Sequence, residues 1–272
     1  MEVSHDVGYG TIAAEWVAFA QELAEAAAAE ILPRFRQDLG VENKLDRGFD
    51  PVTEADRAAE TAMRALITAR YPDHSIYGEE LGAQIGKGPI AWSLDPIDGT
   101  RAFISGLPLW GVLIALLDEG QPALGVIDQP YLQERFIGWG GGAHALIRGE
   151  LHALRTRECG HLRDAILSTT DPHLFSGAEA GGFEQVRATA KMTRFGCDCY
   201  AYAMLAMGKI DMVIESGLKP HDVHALIPVI EGAGGIITNW RGDPCKSGGQ
   251  VIAAGDPRIH RQALVALRRA AN

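Results

Sequence analysis

Apolar residues recur at helical spacing from about Thr11 to Arg36: Ile12, Trp16, Phe19, Leu23, Ala27 and Ile31 share one face, and Glu15, Glu22, Glu25 and Glu30 fall largely away from it. That pattern predicts an amphipathic helix. A polar loop through Gly40 to Asp50 follows, and Pro51-Val52-Thr53-Glu54-Ala55-Asp56 leads into a second helix ending near Arg70. Thr53 and Asp56 stand at capping-box spacing, and Tyr71-Pro72-Asp73 closes the helix. The period then shortens. Ser75-Ile76-Tyr77 reads as a brief strand before Gly78-Glu79-Glu80, and Ile90-Ala91-Trp92-Ser93-Leu94 as a short buried one. Trp110 to Leu117, Ala123 to Asp128, Arg135 to Trp139 and Ala145 to Arg148 are short apolar segments separated by Gly, Pro and Asp, which predicts an antiparallel meander. The first half is therefore expected to be α+β.

The second half alternates differently. Strands are expected at Ala165–Thr169, Met192–Phe195, Met212–Glu215 and Gly235–Thr238, and helices around Gly177–Ala190, Ala201–Met207, Val223–Ala233 and Arg258–Ala271. This alternation predicts an α/β arrangement. No low-complexity linker or internal repeat separates the halves, so 1–150 and 151–272 are expected to share one packed interface near Glu150.

The 272 residues are 47% hydrophobic and 22% charged, an ordinary globular composition for one large domain or two closely packed halves. The amino terminus lacks a basic segment followed by an apolar run, and no stretch reaches the roughly 18 to 20 apolar residues that span a bilayer, so a cytoplasmic protein is expected. A formal net charge of −10 repels nucleic acid and anionic membrane. An anionic substrate then needs a local cationic centre such as bound metal. Cys159, Cys197, Cys199 and Cys245 are too few and too unevenly spaced for a disulfide framework or a thiolate zinc site.

Asp95-Pro96-Ile97-Asp98-Gly99-Thr100 carries the chemistry. Asp95 is expected at the carboxyl end of a strand, Asp98 in the following turn, and Gly99 and Thr100 at the opening of a helix, whose free N–H groups favour an anion such as phosphate. Asp and Gly are common in ordinary turns, so this segment alone does not decide. Gly78-Glu79-Glu80 and Lys219-Pro220-His221-Asp222-Val223 place further acids at strand ends or helix starts. Glu79, Asp95, Asp98 and Asp222 together supply the oxygen ligands that Mg²⁺ prefers.

The ordered set Asp50-Pro51-Val52-Thr53-Glu54-Ala55-Asp56, Gly78-Glu79-Glu80, Asp95 to Thr100 and Gly217-Leu218-Lys219-Pro220-His221-Asp222 resembles the inositol monophosphatase family, roughly from Asp50 to Gly255. The resemblance implies a layered αβαβα sandwich, a homodimer, and hydrolysis of a small phosphate monoester with about two or three Mg²⁺ per site. It implies Glu79, Asp95, the Ile97 carbonyl, Asp98 and Asp222 as metal ligands, with Asp56 near a further, weaker Mg²⁺. Thr100 and Glu80 match the residues that orient and deprotonate the attacking water, and the Gly99 and Thr100 amides match those that receive phosphate oxygens. No phosphoenzyme is implied. Asp56 as a helix-capping acid and Glu80 as a solvated neighbour stand as the plainer alternatives.

Arg194-Phe195-Gly196-Cys197-Asp198-Cys199-Tyr200-Ala201-Tyr202 departs from the Gly-Ser-Ala-Ala type of sequence expected of inositol phosphatases. It is similar to the family's histidinol-phosphatase branch, as are the segments Ser168 to Phe175 and His221 to Gly235. Histidinol carries an ammonium and an imidazole, so its pocket needs anions, whereas inositol offers only hydroxyls. Asp198 and Glu215 are the candidate anions; the alternative for Asp198 is a helix N-cap ahead of Cys199–Met207. His221 and His224 are expected to pack or hydrogen-bond around Asp222, while His173, Arg194 and Lys219 are either substrate contacts or solvated surface. His221 stands where many members carry Trp or Tyr, and Cys197 where Gly is commoner in the histidinol branch. The expected activity is hydrolysis of L-histidinol phosphate in histidine biosynthesis. The alternatives are an inositol-1-phosphate or broad-specificity phosphatase, or a catalytically silent metal-binding regulatory protein.

Overall fold

The computed structural model describes Ile12 and residues 14–37, 42–43 and 51–271. The expected helix start at Thr11 and, apart from Glu42 and Asn43, the polar loop from Gly40 to Asp50 lie outside the described residues. In chain order the elements are α1 (Ala14–Ile31), β1 (Glu42–Asn43), β2 (Pro51–Val52), α2 (Glu54–Arg70), β3 (Ser75–Gly78), β4 (Gly82–Gln84), β5 (Ile90–Asp98), α3 (Thr100–Ile104), β6 (Gly111–Asp118), β7 (Gln121–Gln129), β8 (Glu134–Trp139), β9 (Gly142–Ile147) and β10 (Glu150–Ala153). There follow β11 (Ile166–Thr169), α4 (Ala178–Thr189), β12 (Met192–Phe195), α5 (Asp198–Ala206), β13 (Met212–Leu218), α6 (Pro220–His224), α7 (Leu226–Gly232), β14 (Ile236–Asn239), β15 (Gly249–Ala254) and α8 (Pro257–Leu267).

Strands β3 to β10 form an eight-stranded sheet in the order β10-β9-β8-β7-β6-β5-β3-β4. It is antiparallel except where β3 lies beside β5. Its strands show why they read as continuous apolar runs. Along β6, Val112, Ile114 and Leu116 join the core beneath α1 and α2, while Leu113, Ala115 and Leu117 join the core on the opposite face. A sheet covered on both sides needs apolar residues at every position. The second sheet has five strands in the order β12-β11-β13-β15-β14, with β12, β11 and β13 parallel and β13, β15 and β14 antiparallel.

The same division by face occurs there. Val213, Val251 and Ala253 pack toward α5, α6 and α7, and Met212, Ile214, Ile252 and Ala254 toward α4 and α8. The layers are therefore α1/α2, first sheet, α5/α6/α7, second sheet, α4/α8, which is the expected αβαβα sandwich.

Several elements differ from the sequence expectation. Strand β5 does not stop before Asp95 but continues to Asp98, with its register against β6 shifting between those two residues. Asp98 thus lies in a bulged strand rather than in the turn after it. Pro96 offers no N–H to the ladder, and the Ile97 amide donates to Asp95 Oδ1 at 3.1 Å instead. The helix expected over Val223–Ala233 is two helices, because Pro228 lacks the N–H that would bond to the His224 carbonyl one turn earlier. β4 and β10 are edge strands with largely exposed side chains, so neither carries an apolar alternation. β15 is buried almost throughout, and a short apolar run does not distinguish a buried strand from a helix.

Candidate active site

Three elements deliver acids to one place. The β5 bulge carries Asp95 and Asp98. The first turn of α6 carries Asp222, whose Oδ2 accepts from the Lys219 amide at 2.7 Å, with Pro220 pre-set for the helix start. The β3–β4 connection carries Glu79, whose amide donates to the Leu94 carbonyl at 3.1 Å and so extends the pairing of β3 with β5.

That connection is held by a residue the sequence reading did not single out. Glu60 of α2 is fully buried; its carboxylate accepts from the Glu80 amide at 2.8 Å, the Leu81 amide at 3.1 Å and Arg64 Nε at 2.7 Å. A Cβ on Gly78 would lie 1.9 Å from Glu60 Oε1, so only glycine admits this carboxylate against the strand end. The signal was present in the pattern. Asp56, Glu60, Met63 and Ile67 occupy the buried face of α2 at helical spacing, and two acids on a core-facing stripe need partners.

Ligand atoms of Asp95, Asp98 and Asp222 lie within 4.8 Å of one another, as do those of Glu79, Asp95 and His221. Burial pushes the Asp95 carboxyl well above its ordinary range, and the charges of Glu79, Asp98 and Asp222 add to that. Enclosure by the cleft walls, with the charge of Asp198, raises Asp98 to about 7, against hydrogen bonding from Cys199. Enclosure and the charge of Asp98 raise Asp222 to about 6. Converging carboxyls protonate because their charges repel in a poorly solvated space, and a divalent cation removes that penalty. The donors are hard oxygens, so the site fits Mg²⁺ rather than a soft metal.

The histidines divide. His221 Nε2 is 3.4 Å from Asp222 Oδ1 and 3.9 Å from Glu79 Oε1, beside the cluster as expected. His224 turns away from Asp222, and its Nδ1 pairs with Ser93 Oγ at 2.9 Å. Its place on the far side of the short helix α6 puts it against β5 rather than the acids. Lys219 Nζ lies 3.6 Å from Glu79 Oε1.

A cleft of about 250 Å³ is lined by Glu79, Asp95, Ile97, Asp98, Gly99, Thr100, Asp198, Glu215 and Asp222, so the expected main metal ligands and the two candidate anions face one space. Lys219 also lines it, whereas His173 and Arg194 do not. Asp56 and Glu80 are likewise absent from the lining. Asp56 caps α2, its Oδ2 accepting from the Thr53 amide at 2.8 Å and hydroxyl at 2.6 Å, while its Oδ1 is buried with no hydrogen-bond partner among the described residues. Burial raises its carboxyl. Glu80 sits half-exposed next to Glu79. Gly99, at φ +86°, turns the chain into α3, and the Thr100 hydroxyl donates to the Ile97 carbonyl at 3.1 Å.

The other wall comes from the second half of the chain. Asp198 is the first residue of α5, with φ +44°, and its carboxyl presses on Gly99, where an added Cβ would lie 3.0 Å from Asp198 Cγ. It does not cap the helix. Cys197 occupies the cap position with no side-chain capping bond, and the Cys199 amide donates to Asp98 Oδ2 at 2.7 Å. Burial raises Asp198 to about 6, against the pull of Arg101. Glu215 of β13 is buried, its Oε1 accepting from the Thr170 amide at 2.7 Å and hydroxyl at 3.0 Å. Burial raises it to about 8 despite those bonds.

A sequence model described as the inositol monophosphatase family matches residues 13–272. The bifunctional phosphatase IMPL2, chloroplastic, of Arabidopsis thaliana is 47% identical over 263 residues, covering 93% of this chain and 75% of that protein. A histidinol-phosphatase of Chlorobaculum parvum is 34% identical over 249 residues, covering 91% of this chain and 95% of the relative. Among solved structures, an inositol monophosphatase from Zymomonas mobilis superposes with a TM-score of 0.83 at 42% identity, covering 93% of this chain and 98% of that one.

Proposed function

The chain belongs to the inositol monophosphatase family, and from that premise we propose that it hydrolyses L-histidinol phosphate to L-histidinol and phosphate, with Mg²⁺, as a step of histidine biosynthesis. The observation that carries the choice of alcohol is the pair Asp198 and Glu215, which line the same cleft as the metal-binding acids. A substrate with an ammonium and an imidazole gains from two carboxylates there, and a neutral polyol does not. The likeness to a histidinol-phosphatase over nearly the whole of both chains supports the same choice.

In this reading Glu79, Asp95, Asp98, Asp222 and the Ile97 carbonyl hold the metal. Bound Mg²⁺ supplies positive charge that lowers the pKa of water and offsets the charge on the phosphate. The chain's own groups do the rest. Thr100 and Glu80 orient the water and take up its proton, while the Gly99 and Thr100 amides receive phosphate oxygens. The water oxygen bonds to phosphorus, the bond from phosphorus to the alcohol oxygen breaks, that oxygen takes a proton from solvent as it leaves as the alcohol, and the proton taken up from the attacking water returns to solvent. Asp198 and Glu215 hold the cationic end of the alcohol, with Asp56 serving a further, weaker Mg²⁺. The working form is a homodimer.

A second reading, inositol 1-phosphate hydrolysis, is favoured by the 42% identity to the Zymomonas mobilis protein. Purified protein with Mg²⁺, offered histidinol phosphate, inositol 1-phosphate, fructose 1,6-bisphosphate and adenosine 3′,5′-bisphosphate while phosphate release is followed, is expected to prefer histidinol phosphate. A clear preference for inositol 1-phosphate would overturn the choice.

A further inference from the structure

Two tyrosines stand two residues apart on α5, and among the described residues only one has a hydrogen-bond partner for its hydroxyl. The Tyr200 hydroxyl donates to Glu134 Oε2 at 2.6 Å. The Tyr202 hydroxyl, on a residue 2% exposed, is closed off from solvent and has no hydrogen-bond partner among the described residues. Buried phenols nearly always find one, because an unmatched hydroxyl keeps the cost of its lost hydration. Tyr202 follows Asp198 by one helical turn, so both project from the same face of α5, and both line the cleft. Burial, with the charge of Glu215 next in weight, holds the phenol protonated. Tyr202 thus stands in the cleft wall, and a bound group that reaches its hydroxyl can meet it both as a donor and as an acceptor.

We propose that the Tyr202 hydroxyl is a substrate-binding group that pairs with a polar atom of the leaving alcohol and thereby discriminates functionalised phosphate esters from plain ones. The inference rests on the cleft being a phosphomonoesterase site, and it does not depend on which polar alcohol is the natural one. An alcohol bearing an amine, imidazole or hydroxyl near its phosphate completes the unmatched phenol, and a simple alkyl ester leaves it unmatched. A site that hydrogen-bonds one substrate penalises the analogue lacking that group.

Tyr202→Phe removes only the hydroxyl. The variant is expected to melt at the wild-type temperature or above it, since the deleted group had no partner. Its KM for histidinol phosphate, and the dissociation constant of L-histidinol measured by calorimetry, are expected to rise about tenfold, the loss of roughly one hydrogen bond. Constants for n-propyl phosphate are expected to stay unchanged. Tyr200→Phe should behave in the opposite way, with a lower melting temperature and an unaltered ratio between the two esters. Equal losses on both esters in Tyr202→Phe, or unchanged L-histidinol binding with unchanged KM for both, would overturn the inference. If wild type prefers inositol 1-phosphate, the histidinol reading fails, and the role of Tyr202 is then decided by inositol 1-phosphate against n-propyl phosphate.

Discussion

Asp95 is the most buried carboxylate of the acidic cluster, enclosed with Glu79, Asp98 and Asp222 around it. Its charge is costly without metal and, in the proposed function, is needed to hold it, so Asp95→Asn separates the two effects. The variant is expected to lose activity by on the order of a hundredfold or more, as loss of a metal-site group does. In metal-free buffer it should melt about 2–4 °C above wild type, because a buried repulsion is gone. Calorimetric melting without Mg²⁺ and turnover with it check both halves, and full activity would refute the metal role. Asp198→Ala tests a different property. It should weaken histidinol phosphate about tenfold or more while a neutral ester changes little, as expected for loss of a charge-assisted contact; equal losses in steady-state assays would remove Asp198 from the alcohol pocket. The acids that converge on the cleft were legible because each stands in a short motif at an element boundary. Tyr202 was not, because an orphaned hydroxyl exists only after the chain has folded, and of Glu60 only its place on the acidic, core-facing stripe of α2 was readable, not the glycine and amides it meets.

Among the elements, the link from α2 to the β3–β4 connection is the one most open to test. Glu60 holds the segment that presents Glu79 through two backbone amides, at 2.8 and 3.1 Å. Glu60→Gln keeps the shape and gives up the charge-assisted bonds. The expected result is a loss of about 1–3 kcal/mol in urea denaturation and roughly tenfold weaker Mg²⁺ binding by calorimetry. Unchanged Mg²⁺ affinity with the same loss of stability would leave Glu60 a purely structural residue. Element boundaries were readable where a local rule dominates, as with the Thr53–Asp56 capping box on α2. They were not where a single proline acts against the surrounding pattern. Pro96 lets β5 run on through a bulge to Asp98, and Pro228 divides one expected helix into α6 and α7. The exposed edges β4 and β10 carry no burial pattern to read.

For the whole molecule, the apolar pattern made an α+β first half and an α/β second half legible, because sheets covered on both faces leave runs of apolar residues that alternate between cores, whereas the order of the five layers came from the family resemblance. Among the described residues no helix is long and apolar enough to cross a membrane. The acids gathered between the halves give the metal-free protein a distinct pH dependence. Asp98 at about 7, Asp198 and Asp222 at about 6 and Glu215 at about 8 all lie above their ordinary values of 3.8 or 4.5. The folded state therefore keeps protons that the unfolded chain releases. Stability from these groups is complete below their ordinary values and is lost as pH rises through about 6 to 8. Melting without metal should fall across that window, Mg²⁺ should flatten the fall, and Glu215→Gln should remove its upper end; a metal-free melting temperature constant over the window would contradict the arrangement. The central claim is a choice of substrate made with metal present. Its most direct measurement is the ratio of kcat/KM for histidinol phosphate to that for inositol 1-phosphate at saturating Mg²⁺, with a chelated control. A ratio well above one, with both activities abolished by chelation and restored by Mg²⁺, is the expected result, and a ratio of one or below would contradict it.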